Sequence, residues 1–379
     1  MSETPDVQVS RSKGSFLFDA KGRKYIDFVM GWCVGNFGWG NPEIVRAAER
    51  YRGPDYVYPE YSYKPWGELA RMLASLAPGD LTKCFRATGG SEAVELALQA
   101  ALLHTGRRKF LSLEGSYHGN TLGTLSIADS ENRKKYKNLL PNCHKIETPL
   151  DSNALGKIET QLKRRDVAAF IMEPISINLG VLIPDRGFMT ELQRLCRRYG
   201  TLLVMDEVAC GFGRTGKIFA SEHFDIEPDI ICLGKAIAGG VAGLGATITT
   251  EEVGESLEEE GNIWSTFGWH PRSVAVAIAT LRYLARNKKK LLDNVDRMSL
   301  YLAERLLGMD FERAPSLCVK GLAIGVDLGD ADYASRVEEK CRRKGLLVVS
   351  QDQSILLLPA LTIDRAVAKR AMDILEASI

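Results

Sequence analysis

The sequence predicts an α/β protein, with a large domain built on a mainly parallel central sheet covered by helices and a smaller α+β domain. Over residues 65–233, short apolar segments with strand character alternate with helical patterns. Strands separated by helices favour a parallel sheet covered on both faces. After residue 271 the pattern changes to long helices and short strands. We therefore expect residues 46–270 to form the large domain, and residues 1–45 with 271–379 to form the small one.

The first predicted element is a β-hairpin. Two short segments with strand-forming residues, 16–18 and 24–28, flank a turn at residues 19–22. A loop rich in glycine and aromatic residues follows at 31–40. This loop has two interpretations, packing in the core or the wall of an apolar pocket.

The remaining elements follow from hydrophobic periodicity and its interruptions. The large domain has predicted helices at residues 68–76, 91–103 and 187–199, and predicted strands at 83–86, 109–113, 168–172, 201–205 and 229–233. The last part of the chain has helical patterns at 274–284, 291–307 and 364–377, and predicted strands at 322–326, 346–349 and 355–358.

Composition excludes several classes of protein. The 379 residues are 45% hydrophobic, and 49 basic against 48 acidic residues give a formal charge of +1, so no overall field favours nucleic acid. The eight cysteines are dispersed and accompany five histidines without a zinc-binding spacing, which favours a reducing cytoplasmic compartment. We expect no export signal and no membrane partner, because no apolar segment approaches the length of about 18 residues that a span needs.

Lys235 is the residue around which a catalytic site is predicted. It follows the apolar segment 229–233 and opens a glycine-rich loop over residues 236–245. Burial disfavours the ammonium form of a lysine, so a lysine at the end of a buried strand is a candidate nucleophile that forms a Schiff base with a carbonyl. The alternative is a solvated surface lysine, which is the usual state of this residue type.

Two further segments supply groups for a phosphate and a ring. Residues 88–93 lie between a predicted strand and a predicted helix, so Gly90, Ser91 and the positive end of the helix dipole form a cradle suited to a phosphate. A tight turn with a serine cap would use the same residues. Tyr117 lies in a loop after another predicted strand, where it either stacks on a planar cofactor or is half-buried in the loop.

Asp206 and Glu207 end the predicted strand over residues 201–205. Carboxyl ends of parallel strands face the crevice in which α/β proteins bind ligands. Opposite a lysine that forms a Schiff base, an aspartate can keep a pyridine nitrogen protonated and so make the ring an electron sink. Without that lysine, the same aspartate could simply cap the next segment.

Residues 211–217 match parts of two nucleotide-binding patterns, and both matches are weak. A phosphate loop needs Ser or Thr after its lysine, whereas Ile218 follows Lys217. The dinucleotide pattern needs a helix directly after its glycines, and residues 219–224 have no strong helical pattern. The sequence also has no Gly-x-Ser-x-Gly elbow and no His-Glu-x-x-His motif, so we expect neither a hydrolase nor a metal site.

Together these motifs resemble those of the class III aminotransferases, which are pyridoxal-phosphate enzymes of fold type I. The resemblance covers nearly the whole chain and rests on motifs in the family's order: residues 18–28, 90–93, 117–119, 173–175, 206–208, 211–216, Lys235 and 265–267.

The resemblance implies roles at the cofactor ring. Lys235 would form a Schiff base with pyridoxal phosphate and then carry the proton between the substrate and cofactor carbons. Asp206 would pair with the ring nitrogen. Val208 and Tyr117 would hold the ring between them.

It also implies roles around the phosphate. Gly90 and Ser91 would hold the phosphate group, and His118 and Glu173 belong to motifs that bind the cofactor. Thr266 is similar to the family threonine that reaches the phosphate of the neighbouring subunit's cofactor. A homodimer with shared active sites is therefore implied.

Some positions depart from the common family pattern. Ala209 and Cys210 replace Gln and Thr after Asp-Glu-Val, and with His270 they resemble the amine:pyruvate (omega-transaminase) branch. Asn120 stands where acetylornithine-type members carry an arginine for the substrate carboxylate. Residues 349–352 lack the mobile arginine of the omega-transaminases. Neither carboxylate clamp is present.

We therefore expect a transaminase that moves an amino group from an amine or an omega- or beta-amino acid to a keto acid such as pyruvate by ping-pong half-reactions. Aromatic residues in predicted loops indicate an apolar substrate pocket: Trp32, Trp39, Tyr58 and Trp264. Three alternatives remain open: an aminomutase of the same fold, which needs no separate amino acceptor; a catalytically silent ligand-binding or dimerisation protein; and a nicotinamide-dependent enzyme.

Overall fold

The computed structural model describes residues 7–129, 133–261 and 263–379. Its strands, in chain order, are β1 (Val9–Lys13), β2 (Phe16–Asp19), β3 (Lys24–Asp27), β4 (Lys83–Ala87), β5 (Lys109–Leu113), β6 (Cys143–Ile146), β7 (Val167–Met172), β8 (Leu202–Asp206), β9 (Ile230–Leu233), β10 (Gly245–Thr249), β11 (Ser316–Lys320), β12 (Ala323–Asp327), β13 (Leu346–Leu347), β14 (Val349–Gln351) and β15 (Ser354–Leu357).

The helices cover the sheets and connect the strands. They are α1 (Met30–Cys33), α2 (Pro42–Glu49), α3 (Lys64–Ala74), α4 (Gly90–Thr105), α5 (Leu122–Ile127), α6 (Ser152–Leu162), α7 (Arg186–Tyr199), α8 (Glu251–Glu260), α9 (Pro271–Leu307), α10 (Ala331–Lys344) and α11 (Arg365–Glu376). Short 3-10 turns occur at Ile177–Leu179, Ala220–His223 and Lys235–Ala238, among others.

The central sheet has the predicted, mainly parallel arrangement. Its strands within the described residues lie in the order β4-β10-β9-β8-β7-β5-β6. β10 runs antiparallel to both of its neighbours, and the other pairs are parallel. Every residue of β7, β8 and β9 is buried, as expected for central strands covered by helices on both faces. The carboxyl ends of β4, β5, β7, β8 and β9 consequently meet at one edge.

Two smaller sheets combine the two ends of the chain. The predicted hairpin is confirmed, because β2 and β3 pair antiparallel. β13 pairs parallel with β3, so that the C-terminal part of the chain extends the N-terminal sheet. β11, β12, β15 and β14 form an antiparallel sheet in that order. We propose that these two sheets mark the small domain, with the boundaries expected from the sequence.

Helix α9 differs from its prediction. The sequence suggested two helices separated at residues 285–290, whereas α9 is continuous over Pro271–Leu307. The intervening residues are one alanine and five polar residues, but most of them are good helix formers, so a mainly solvated turn continues the helix. Although α9 is long, no helix among the described residues is apolar enough over a sufficient length to cross a membrane.

Candidate active site

A cavity lies at the sheet edge where the parallel strands end. Its lining residues come from the segments that follow β4, β5, β7, β8 and β9: Gly90, Ser91, Tyr117, His118, Gly119, Glu173, Asn178, Asp206, Val208, Ala209 and Lys235. All the predicted cofactor-binding residues except Thr266 are in this set. Gly119, Asn178 and Ala209 also line the cavity, although they were not predicted as site residues.

Lys235 enters the cavity from the end of β9. Its backbone is in the left-handed region, with φ of 44°, and its side chain is half-buried. A non-glycine residue in this region costs of order 1–3 kcal/mol, and such residues cluster at functional sites. Gly234 precedes it, and a Cβ there would lie 3.1 Å from the Gly90 nitrogen. A glycine at 234 therefore lets the lysine-bearing strand approach the predicted phosphate cradle.

The cradle itself is the start of helix α4. Gly89, the residue before the helix, makes no side-chain cap, so the first backbone N–H groups of this 16-residue helix face the cavity without a cap from that residue. The Ser91 hydroxyl lies beside them and accepts a hydrogen bond of 3.3 Å from the Asn120 nitrogen. A Cβ on Gly90 would lie 2.8 Å from Cγ1 of Val208, so residue 90 must be glycine to pack against that side chain. Free N–H groups at a positive helix end are suited to a phosphate.

Asp206 is held by two hydrogen bonds at the end of β8. Its Oδ1 accepts from the Val208 nitrogen at 3.0 Å. Its Oδ2 lies 2.8 Å from Nδ1 of His118, so the imidazole donates its Nδ1 proton to the carboxylate. Both side chains are buried, and Nε2 of His118 has no hydrogen-bond partner in the described part of the chain. Both residues were predicted to bind the cofactor, but the hydrogen bond between His118 and Asp206 was not predicted.

Glu173 adds a second buried carboxyl group to the cavity. It follows β7, and its Oε2 accepts a hydrogen bond of 3.4 Å from the Asn178 side chain. Burial raises the pKa of Glu173 to about 8; the Asp206 carboxylate acts in the same direction and Lys235 opposes it. Glu173 is consequently largely protonated at neutral pH.

Glu207 turns away from the cavity, unlike its neighbour Asp206. Its carboxylate accepts from the Ala220 nitrogen at 2.9 Å and from both the nitrogen and the hydroxyl of Ser221 at 2.8 Å. Even with these bonds, burial raises the pKa of Glu207. It therefore fixes the loop after β8 instead of contributing to the cavity.

Arg214 explains the segment that resembles a nucleotide-binding loop. Its guanidinium is fully buried and donates to the carbonyl oxygens of Leu322 at 2.9 Å and Pro359 at 2.5 Å, and to Oδ1 of Asn36 at 2.6 Å. Residues 211–216 thus connect the loop after β8 to both ends of the chain.

The predicted substrate-pocket residues and Thr266 do not line the cavity that a single chain forms. Trp39 is half-buried and its Nε1 donates to Asp27 at 2.8 Å. Trp32 is half-buried within α1. Tyr58 and Trp264 are on the surface with ring centroids 5.3 Å apart. Thr266 is exposed close to them.

The fold and the cavity define an α/β enzyme whose site combines an amine, a buried carboxylate and a phosphate cradle. The class III aminotransferase family model matches residues 1–379, and the chain belongs to this family. Class III aminotransferases are pyridoxal-phosphate-dependent enzymes of fold type I.

Three proteins illustrate the similarity. The chain is 38% identical to an acetylornithine aminotransferase of Methanopyrus kandleri, over 86% of this chain and 82% of that protein. It is 34% identical to a putrescine aminotransferase of Pectobacterium atrosepticum, over 98% and 82% respectively. A crystal structure of Toxoplasma gondii ornithine aminotransferase, with pyridoxal phosphate at partial occupancy in its active site, superimposes with a TM-score of 0.87 at 25% identity, covering 100% of this chain and 91% of that one.

The residues that line the cavity fit pyridoxal phosphate. An uncapped helix start with a serine hydroxyl suits the phosphate, and an amine is available for the carbonyl carbon. A buried carboxylate suits a protonated ring nitrogen. Tyr117 lines the cavity with 40% of its surface exposed, which leaves a ring face free for stacking.

Proposed function

We propose that this aminotransferase takes its amino group from a donor whose reacting carbon carries no carboxylate, namely an amine or an omega- or beta-amino acid, and passes it to a keto acid such as pyruvate in ping-pong half-reactions. The observation that carries this proposal is the charge of the cavity. Its lining residues with a carboxyl or amino side chain, as far as the structure describes them, are Lys235, Asp206 and Glu173, and no arginine lines the cavity.

In the cavity as one chain forms it, an α-carboxylate would lie close to Asp206, and no lining guanidinium would balance its negative charge. A carboxylate removed from water needs a cation or several hydrogen bonds. A neutral chain or a second ammonium group avoids this cost. The names of the relatives support this donor class, since acetylornithine and putrescine both have an amino group on a terminal carbon that carries no carboxylate.

We propose the following roles for the residues around the cofactor. When bound, pyridoxal phosphate supplies an electron sink that makes the amino-bearing carbon acidic. Lys235 would hold the cofactor through Nζ and, once displaced, move the proton at that carbon. Asp206, oriented by His118, would keep a proton on the ring nitrogen. The free N–H groups at Gly90 and the Ser91 hydroxyl would hold the phosphate.

We also propose a homodimer that covers an exposed aromatic patch, defined here as Tyr56, Tyr58, Tyr61, Trp264 and Phe267. Phe267 and Tyr61 expose 62% and 68% of their surfaces. Ring contacts join Tyr56 to Phe267 and Tyr58 to both Tyr61 and Trp264. Large exposed aromatic surfaces mark interaction sites, and a second copy related by a twofold axis presents the same patch. Thr266, between Trp264 and Phe267, would then face the partner's cofactor.

A donor panel tests the proposed reaction. Purified enzyme with pyridoxal phosphate is mixed with butylamine, 1,4-diaminobutane or a beta-amino acid, and with norvaline as the α-amino acid of matched length. The donor half-reaction is followed through the cofactor's visible absorbance. We expect the donors without an α-carboxylate to convert the cofactor at least as fast as norvaline, because their reaction needs no contact to a carboxylate.

Three results would contradict these proposals. Norvaline reacting at least about 10-fold faster than butylamine would show that the site requires an α-carboxylate on its donor. Formation of a rearranged amine without any added keto acid would identify an aminomutase. Sedimentation of the protein as a monomer at micromolar concentration would contradict the dimer.

A further inference from the structure

Arg86 carries a positive charge that no carboxylate among the described residues neutralises. It lies on β4, and its guanidinium carbon is 4.1 Å from the centre of the Trp66 ring. Its Nη1 is buried and has no hydrogen-bond partner among the described residues. Burial lowers the pKa of the guanidinium, and neighbouring Tyr56 opposes that shift. A buried charged donor without an acceptor is unfavourable unless a ligand or partner supplies one.

The other cation of the same strand makes the contrast clear. Lys83 donates to Glu258 at 2.7 Å and also lies 3.3 Å from Glu251, so its charge is balanced twice. Arg86 has no such carboxylate among the residues that the structure describes. Stacking on Trp66 holds the guanidinium plane while leaving its edge free for an anion. A fork-shaped donor fixed in this way is suited to a carboxylate.

Arg86 lines a second cavity, separate from the one around Lys235. This cavity has a volume of about 290 Å³, and its lining includes Phe85, Ile263, Ser265 and Glu258, whose carboxylate is paired with Lys83. A water molecule occupies roughly 30 Å³, so there is room for a small organic anion. Trp264, between Ile263 and Ser265, and Tyr56, beside Arg86, both belong to the aromatic patch. A second copy that covers the patch would therefore meet Arg86.

We propose that Arg86 binds the carboxylate of the keto-acid acceptor in the active site of the partner subunit. This inference rests on the proposed function, which leaves the acceptor's carboxylate without a guanidinium cation in the chain's own cavity. Arg86 supplies that cation from the same surface that carries Thr266. The amine donor needs no such contact, so one site serves two substrates of different charge.

Acceptor kinetics test the charge contact. Arg86→Leu is compared with wild type using pyruvate and the uncharged acceptor propanal. We expect kcat/KM for pyruvate to fall by about 10- to 100-fold, the value of a charge-assisted hydrogen bond, while kcat/KM for propanal changes less than threefold. Arg86→Lys should retain part of the pyruvate activity, and Lys83→Gln, the matched control, should change neither acceptor.

The propanal reaction also shows whether the variant is folded. An equal loss for pyruvate and propanal in a folded Arg86→Leu enzyme, judged by an unchanged butylamine half-reaction, would overturn the proposal. Unchanged kinetics with pyruvate would overturn it as well.

Mixed dimers test whether the contact crosses the interface. Lys235→Ala and Arg86→Leu chains are coexpressed with different tags and the heterodimer is purified. If Arg86 acts across the interface, one of its two sites has both residues, and pyruvate activity per heterodimer returns to about half that of the wild-type dimer. Activity no higher than half that of the Arg86→Leu homodimer would show that Arg86 does not act in the partner subunit's site, and would overturn the proposal. Failure of the proposed function itself would appear separately, as a wild-type enzyme that does not use amines or does not dimerise.

Discussion

Nδ1 of His118 lies 2.8 Å from Oδ2 of Asp206, and both side chains are buried beside the cavity that contains Lys235. The second oxygen of Asp206 is held by the Val208 nitrogen, so neither oxygen is free to rotate away. A buried carboxylate held at both oxygens keeps one orientation. His118 is thus a positioning residue for the group that we assign to the ring nitrogen.

His118→Phe should lower kcat with butylamine by about 10- to 100-fold, because it removes a charge-assisted hydrogen bond and leaves a buried carboxylate oxygen without a donor. The KM for butylamine should change little. Steady-state kinetics measure both constants. His104→Phe is the control, since Nδ1 of His104 contacts Ser256 at 2.9 Å outside the cavity. A His118→Phe enzyme with wild-type kcat would remove the positioning role.

Gly90→Ala should destabilise the cofactor-free protein by about 1–3 kcal/mol, the usual cost of overpacking, because its Cβ would lie 2.8 Å from Cγ1 of Val208. Adding Val208→Ala should recover much of that loss. Denaturant unfolding gives both values. Gly156→Ala in α6 is the control: no atom lies within 4 Å of its new Cβ, so it should stabilise by about 0.5–1 kcal/mol. Equal stability of Gly90→Ala and wild type would contradict the packing argument.

Glu173 should make the cofactor-free protein less stable as pH rises. Its pKa is raised from 4.5 to about 8, so between these values the folded protein retains a proton that the unfolded chain releases. Stability from this group therefore falls with pH, by at most about 1.4 kcal/mol per pH unit, and the loss is complete above pH 8.

Glu173→Gln tests this dependence. The variant should match wild type near pH 4.5 and become increasingly more stable than wild type up to about pH 8, as measured by denaturant unfolding at each pH. The exposed Glu259→Gln should follow the wild-type curve. A constant difference across this pH range would show that Glu173 does not titrate with a raised pKa.

The order of elements explains how much of the site could be predicted. Lys235 and Asp206 each follow a buried apolar strand, and the carboxyl ends of parallel strands meet at one edge, so their proximity follows from local pattern alone. The prediction for Gly90 and Ser91 has the same basis.

Contacts that depend on tertiary packing could not be predicted in this way. Asn178 reaches Glu173 because the turn after β7 folds back, and no sequence pattern marks that return. β10 was not predicted because its residues, Gly-Ala-Thr-Ile-Thr, have a weak apolar pattern, although pairing on both sides buries all of them. Surface residues such as Trp264 and Thr266 remain exposed in one chain, so their role depends on the proposed dimer.

The covalent attachment of the cofactor tests the central claim most directly. Enzyme purified with pyridoxal phosphate is reduced with borohydride, digested and mapped by mass spectrometry. The account predicts that the pyridoxyl phosphate mass is on the peptide containing Lys235, and that Lys235→Ala loses both this adduct and the visible absorbance. An adduct on another lysine, or unchanged absorbance and turnover in Lys235→Ala, would contradict it.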